Sequence, residues 1–132
     1  MWALSNDQTS QPWTPGCWIF AWSAATNTTS TLVATNRFGC GDVAIDGTTA
    51  FFTIIEVVRE DHQSSSFVHG VGLGRVALDL SAPIETVALG IADPQSGPRR
   101  LYVDQDSIYA VDPLVIAKIA KSSIAGGNAF PP

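Results

Sequence analysis

Apolar positions along the chain come in short bursts separated by turn formers. Runs at 1–4, 18–22, 31–34, 43–45, 50–58, 75–80, 85–89, 101–103, 108–111 and 115–120 are strand-sized, and Gly, Pro, Ser and Thr lie between them. Such runs, alternating or continuously apolar and bounded by turn residues, predict an all-β protein. A period of two puts Trp18, Phe20 and Trp22 on one face of their strand, and Val76, Leu78 and Leu80 on one face of theirs. Only 113–124 lacks clean alternation; strand is the preferred reading there, with helix as the alternative.

The pattern repeats. Shifted by 58 positions, residues 16–52 fall on 74–110 without a gap, and seven pairs are identical: Gly16/Gly74, Ser23/Ser81, Ala24/Ala82, Thr28/Thr86, Ala34/Ala92, Gly39/Gly97 and Asp46/Asp104. Ordinary residue frequencies give roughly two or three. Val43-Ala44-Ile45-Asp46 faces Leu101-Tyr102-Val103-Asp104, Phe20 and Trp22 face Leu78 and Leu80, and Met1-Trp2-Ala3-Leu4 weakly echoes Ile108-Tyr109-Ala110-Val111. One unit reads as four strands: 42–45 ending in the turn Asp46-Gly47-Thr48, then 50–58, 74–80 and 85–89. A long polar loop over about 56–73 separates the second from the third, and the motif restarts at Gly97-Pro98-Arg99-Arg100-Leu101. Four antiparallel strands per repeat describe the blade of a β-propeller.

Gly41-Asp42-Val43-Ala44-Ile45-Asp46-Gly47-Thr48-Thr49-Ala50-Phe51-Phe52, then Gly74-Arg75-Val76-Ala77-Leu78-Asp79-Leu80 and Thr86-Val87-Ala88, resemble the bacterial six-bladed propeller repeat, with TolB-like or NHL-like blades. The resemblance implies the end of one blade at 1–38, a full blade at 39–96, the start of a third at 97–124 and a tail at 125–132. The long second loop and Gln105-Asp106, in place of small turn residues, depart from the family pattern. Closure of a ring takes at least about four blades, so the expectation is a fragment of a longer propeller, because the register at both ends looks cut. A short chain that assembles with copies of itself, or another all-β arrangement, are the alternatives. Val43, Ile45, Phe51, Val76, Leu78, Leu101, Val103 and Tyr109 are then expected between stacked sheets.

Composition narrows the function. Of 132 residues, 45% are hydrophobic and 14% charged, and 12 Asp+Glu outweigh 7 Lys+Arg for a net charge of −5. This excludes disorder, and seven scattered cations build no phosphate-neutralising surface, so nucleic acid is not an expected partner. No apolar run reaches the roughly 18 residues that a membrane span requires. Neither a basic n-region nor an apolar h-region follows Met1, so no signal peptide is read, although the family resemblance favours a periplasmic or secreted protein.

Candidate chemistry is sparse. Asp46 and Asp104 follow equivalent strands and are expected to accept turn amides, a need that recurs in every blade, rather than to hold a metal. His62 and His69 are weak zinc candidates: the H-x6-H spacing fits no ligand pattern, and a solvated hairpin tip is the preferred reading. The glycines of Gly70-Val71-Gly72-Leu73-Gly74 precede a strand, whereas a dinucleotide site needs a helix N-terminus. Asp104-Gln105-Asp106 lacks the Gly and Glu of a calcium loop. Arg99 and Arg100, with Asp42 near the equivalent place one blade earlier, are low-grade anionic-ligand candidates or simply rim charges. Cys17 and Cys40 lack metal spacing. In the blade register, Cys17 opens a third strand and Cys40 enters the next blade's first strand over the same face of the disc. A disulfide is therefore possible, with two separately buried thiols as the alternative. No catalytic residue and no cofactor is expected. The leading expectation is a non-enzymatic propeller scaffold or a module binding a protein or small molecule, its partners being the remaining blades or another copy of the chain. The rival is part of a propeller hydrolase or lactonase-like enzyme with a metal in its central channel.

Overall fold

The computed structural model describes residues 2–5, 16–36, 38–59, 66–89, 100–124 and 128–129. They form strands β1 (Trp2–Ser5), β2 (Cys17–Ser23), β3 (Thr28–Thr35), β4 (Gly39–Asp46), β5 (Thr49–Arg59), β6 (Ser66–Ala77), β7 (Glu85–Leu89), β8 (Arg100–Val103), β9 (Ser107–Val111), β10 (Ile116–Ala120) and β11 (Asn128–Ala129). A single 3-10 turn, Lys121–Ser123, is the only helical segment among the described residues. The protein is all-β. The segment without clean alternation divides between β10 and this turn.

Every ladder is antiparallel, and the strands make three sheets with orders β1-β2-β3, β11-β7-β6-β5-β4 and β10-β9-β8. Within the middle sheet, β4 to β7 form a four-stranded meander. Its first hairpin pairs Asp46 with Thr49 around Gly47-Thr48. Gly47 supplies the positive φ (55°) that a two-residue hairpin loop needs.

Two apolar cores fix the stacking. Cys17, Ile19, Leu32 and Val33 of the first sheet meet Cys40, Ala50, Phe52, Ile54 and Val76 of the middle sheet, with Phe38 stacked on Phe52 at 6.2 Å. On the other face of the middle sheet, Phe51 and Leu73 meet Leu101, Ile108 and Ala110 of the third. Alternation along β5 therefore sends neighbouring phenylalanines to opposite cores, because successive strand side chains point to opposite faces. In β3 an extra residue opposite Ile19/Phe20 bulges the strand, and consecutive Leu32 and Val33 both reach the first core.

Most of the expected packing residues lie where sheets meet: Phe51, Val76 and Leu101 are buried, while Val43, Leu78 and Val103 pack against the cores. Ile45 is half-buried. Tyr109 differs. Its strand neighbours Ile108 and Ala110 turn inward, so Tyr109 takes the outer face of the third sheet, where its hydroxyl donates to Asp104.

The expected 56–73 loop also needs correction. β5 continues to Arg59 and β6 begins at Ser66, pairing as far as Arg59↔Ser66. Gly74 explains part of the glycine run here: a Cβ on it would lie 2.5 Å from the Phe52 ring and 2.9 Å from Ile54 Cδ1. The strand passes over large core side chains at that point, and only glycine leaves them room.

Candidate functional site

The polar residues singled out by sequence gather mainly at the strand starts and turns that join adjacent sheets. At the entrance of β4 the pairing shifts between Cys40 and Val43. A bulge leaves backbone amides without ladder partners, and Thr53 of β5 supplies one. Its hydroxyl is completely buried and accepts from the N–H groups of Gly41 at 2.8 Å and Asp42 at 2.9 Å. Asp42 accepts in turn, through Oδ1 from the Val43 amide at 3.0 Å and through Oδ2 from the Leu101 amide at 2.8 Å. Asp42 thus ties the first strand of the middle sheet to β8, the first strand of the next.

The structure brings Asp42 against the Arg100–Leu101 peptide, which joins two of the three sequence-proposed ligand residues. Arg100 opens β8 and is exposed; Arg99 lies outside the described residues. Both oxygens of Asp42 are engaged in backbone bonds, so its observed work is joining sheets.

Asp104 and Asp46 differ despite their equivalent places. Asp104 begins the three-residue β8–β9 connection; its Oδ1 accepts from the amides of Asp106 at 2.9 Å and Ser107 at 2.7 Å, and its Oδ2 from Tyr109 Oη at 2.9 Å. The Asp106 amide, then the Tyr109 hydroxyl and the Ser107 amide, hold the Asp104 carboxyl below the usual carboxylate range, with Lys118 adding a smaller attraction. Asp46 caps nothing in its own turn, because the two-residue hairpin already pairs its backbone. Instead it forms an ion pair with Lys121 Nζ at 2.6 Å, and that ammonium also donates to the Gln105 carbonyl at 3.1 Å. Lys121 therefore links the middle sheet to the β8–β9 turn.

Two further aspartates, not singled out by sequence, serve turns in the same way. Oδ1 of Asp112 accepts from the amides of Leu114 and Val115, both at 2.7 Å, at the β9–β10 turn. Oδ1 of Asp79 accepts from the Ser81 amide at 2.9 Å, and hydrogen bonds from Ser81 lower its carboxyl. The available signal was Asp followed within three residues by Ser, Pro or Gly at a strand end. Arg75 was also missed: its guanidinium pairs with Glu85 of β7 and donates to the Ile124 carbonyl at 3.1 Å.

His62 lies outside the described residues. His69 is not at a hairpin tip: it sits within β6, at the bulge where Val68 and Gly70 oppose Val57 and Glu56. Among the described residues no three His, Cys, Asp or Glu side chains converge as metal ligands. Cys17 of β2 and Cys40 of β4 form a disulfide with Cα atoms 5.2 Å apart, joining the first and middle sheets across their shared core. Cys40 is already within β4, which begins three residues before the expected first strand.

The chain matches no protein-family model, no curated protein and no solved structure. What stands is the class: an all-β protein of stacked antiparallel sheets, cross-linked by a disulfide and by side chains that bridge strand starts and turns.

Proposed function

We propose that this chain is a segment of a β-propeller, built on the 58-residue repeat, that acts as a non-enzymatic scaffold for binding a protein or small-molecule ligand. The observation that carries this reading is how the carboxylates are used. Asp42, Asp46, Asp79, Asp104 and Asp112 each bind a backbone amide or a lysine of the chain itself. A carboxylate already engaged in holding strands and turns is poorly placed to ligate a catalytic metal, whose ligands must converge on one open position. The Cys17–Cys40 bridge supports work in an oxidising compartment, where such bonds persist.

Calorimetric titration with calcium and with zinc tests the reading. No stoichiometric heat is expected from either ion. Stoichiometric binding of one would overturn the scaffold reading and favour a metal-dependent hydrolase.

A further inference from the structure

Among the described residues, the middle sheet packs against a neighbouring sheet on both faces, whereas the first and third sheets each pack on one face only; on the other face of the first sheet Trp18 and Phe20 are half-buried. On β2, Cys17 and Ile19 point into the first core, so Trp18, Phe20 and Trp22 lie on the opposite side, with Trp22 44% exposed. On the third sheet, Leu101, Ile108 and Ala110 point inward. The row Tyr102–Tyr109–Lys118 therefore faces outward, as does the row Arg100–Val111–Ile116. Tyr102 is 57% and Ile116 68% exposed. Two apolar faces of this kind at opposite ends of a stack are the mark of an interaction surface.

The 58-residue correspondence says what each face fits. Trp18 and Phe20 stand where the middle sheet has Val76 and Leu78, which pack on the sheet before it. Tyr102 and Tyr109 stand where the middle sheet has Ala44 and Phe51, which pack on the sheet after it. The first sheet thus presents the face used to receive a preceding sheet, and the third presents the face used to receive a following one. From this we infer that the outer face of the third sheet docks on the outer face of the first sheet of a second copy, head to tail. The inference rests on the propeller-segment reading above.

Charge points the same way. Arg100 and Lys118 lie on the third sheet's outer face, and Lys118 already sits 5.8 Å from the Tyr109 ring centroid. Two such faces pressed together would oppose cations. Against Trp18, Phe20 and Trp22 the same cations meet aromatic rings, which attract them. A head-to-tail contact is heterologous, so copies close into a ring when the rotation per chain allows it.

Light scattering on the size-fractionated 132-residue chain across the micromolar range tests the pairing. The wild-type chain is expected to associate. Trp22→Glu and Tyr102→Glu are each expected to leave it monomeric, with an unchanged far-ultraviolet dichroism spectrum. Mixing the two variants is expected to restore a complex, because each retains the face that the other has lost. If either variant fails to fold, Thr31→Glu on the exposed cross-strand neighbour of Phe20, or Ile116→Glu, replaces it. A monomeric wild-type chain, loss in only one variant, or a mixture that stays monomeric would overturn the head-to-tail pairing. None of these results bears on the metal titration, so failure here leaves the scaffold reading to its own test.

Discussion

Thr53 shows how one buried hydroxyl supports a strand entrance. It is completely buried, and it serves two amides that the bulge at Gly41-Asp42 removes from the ladder. Valine has nearly the same shape but no acceptor, so Thr53→Val strands both donors at little packing cost. A buried donor left without a partner costs about 1–3 kcal/mol. The expected outcome is a loss of that order in urea unfolding, with an unchanged m-value. Thr53→Ser, which keeps the acceptor and loses one methyl, should recover part of it. Nothing around Thr53 in the sequence marks this role, because the bulge it serves lies 11 and 12 positions away in the chain.

At the scale of the element, the β8–β9 and β9–β10 turns use one device. In each, the leading Asp donates its amide to the carbonyl three residues on and accepts two later amides through Oδ1. Each of those hydrogen bonds favours the ionised carboxylate, and the Asp104 carboxyl is held below its ordinary value in the folded chain. A depressed folded-state pKa contributes stability that is fully present above the unfolded value, near 3.8, and is lost as pH falls through the lower folded value. A carboxyl-detected NMR titration should therefore place the Asp104 midpoint below 3.8. Asp104→Ala should lower the melting temperature at neutral pH, and the difference from wild type should shrink as the solution is acidified. The role of Asp104 was legible from its position after a strand, whereas the different use of Asp46 was not. That difference is set by loop length: the two-residue hairpin after Asp46 closes its own backbone, while the longer connection that Asp104 begins leaves amides for a side chain to satisfy.

Across the whole molecule, the first sheet is joined to the middle one by apolar packing and the Cys17–Cys40 bridge, and the third by packing and the Asp42, Lys121 and Arg75 contacts. The bridge closes a loop with a sequence separation of 23. Loop-closure entropy for that length is worth about 3 kcal/mol, chiefly by restricting the unfolded chain. Replacing both cysteines with alanine should lower unfolding stability by that order, and the wild-type chain isolated from an oxidising compartment should show no reactive thiols when denatured without reductant. Two reactive thiols would contradict the bridge.

Alternation of apolar residues determined that the chain is all-β, and it placed β4, β5 and β7 of the middle meander within a few residues, because side-chain direction in a strand depends only on position parity. The pattern missed the early start of β6, where a stretch interrupted by His69, Gly70 and Gly72 pairs with β5 all the same; pairing to an existing strand overrode local preference. Parity likewise does not say which face of a terminal sheet meets the core, so Tyr109 was expected inside and lies outside. Which carboxylate bridges two sheets and which pairs with a lysine was decided only by the tertiary structure. Those roles depend on amides and ammonium groups brought near by stacking, from positions up to 75 residues apart in the chain, as with Asp46 and Lys121, 121 − 46 = 75.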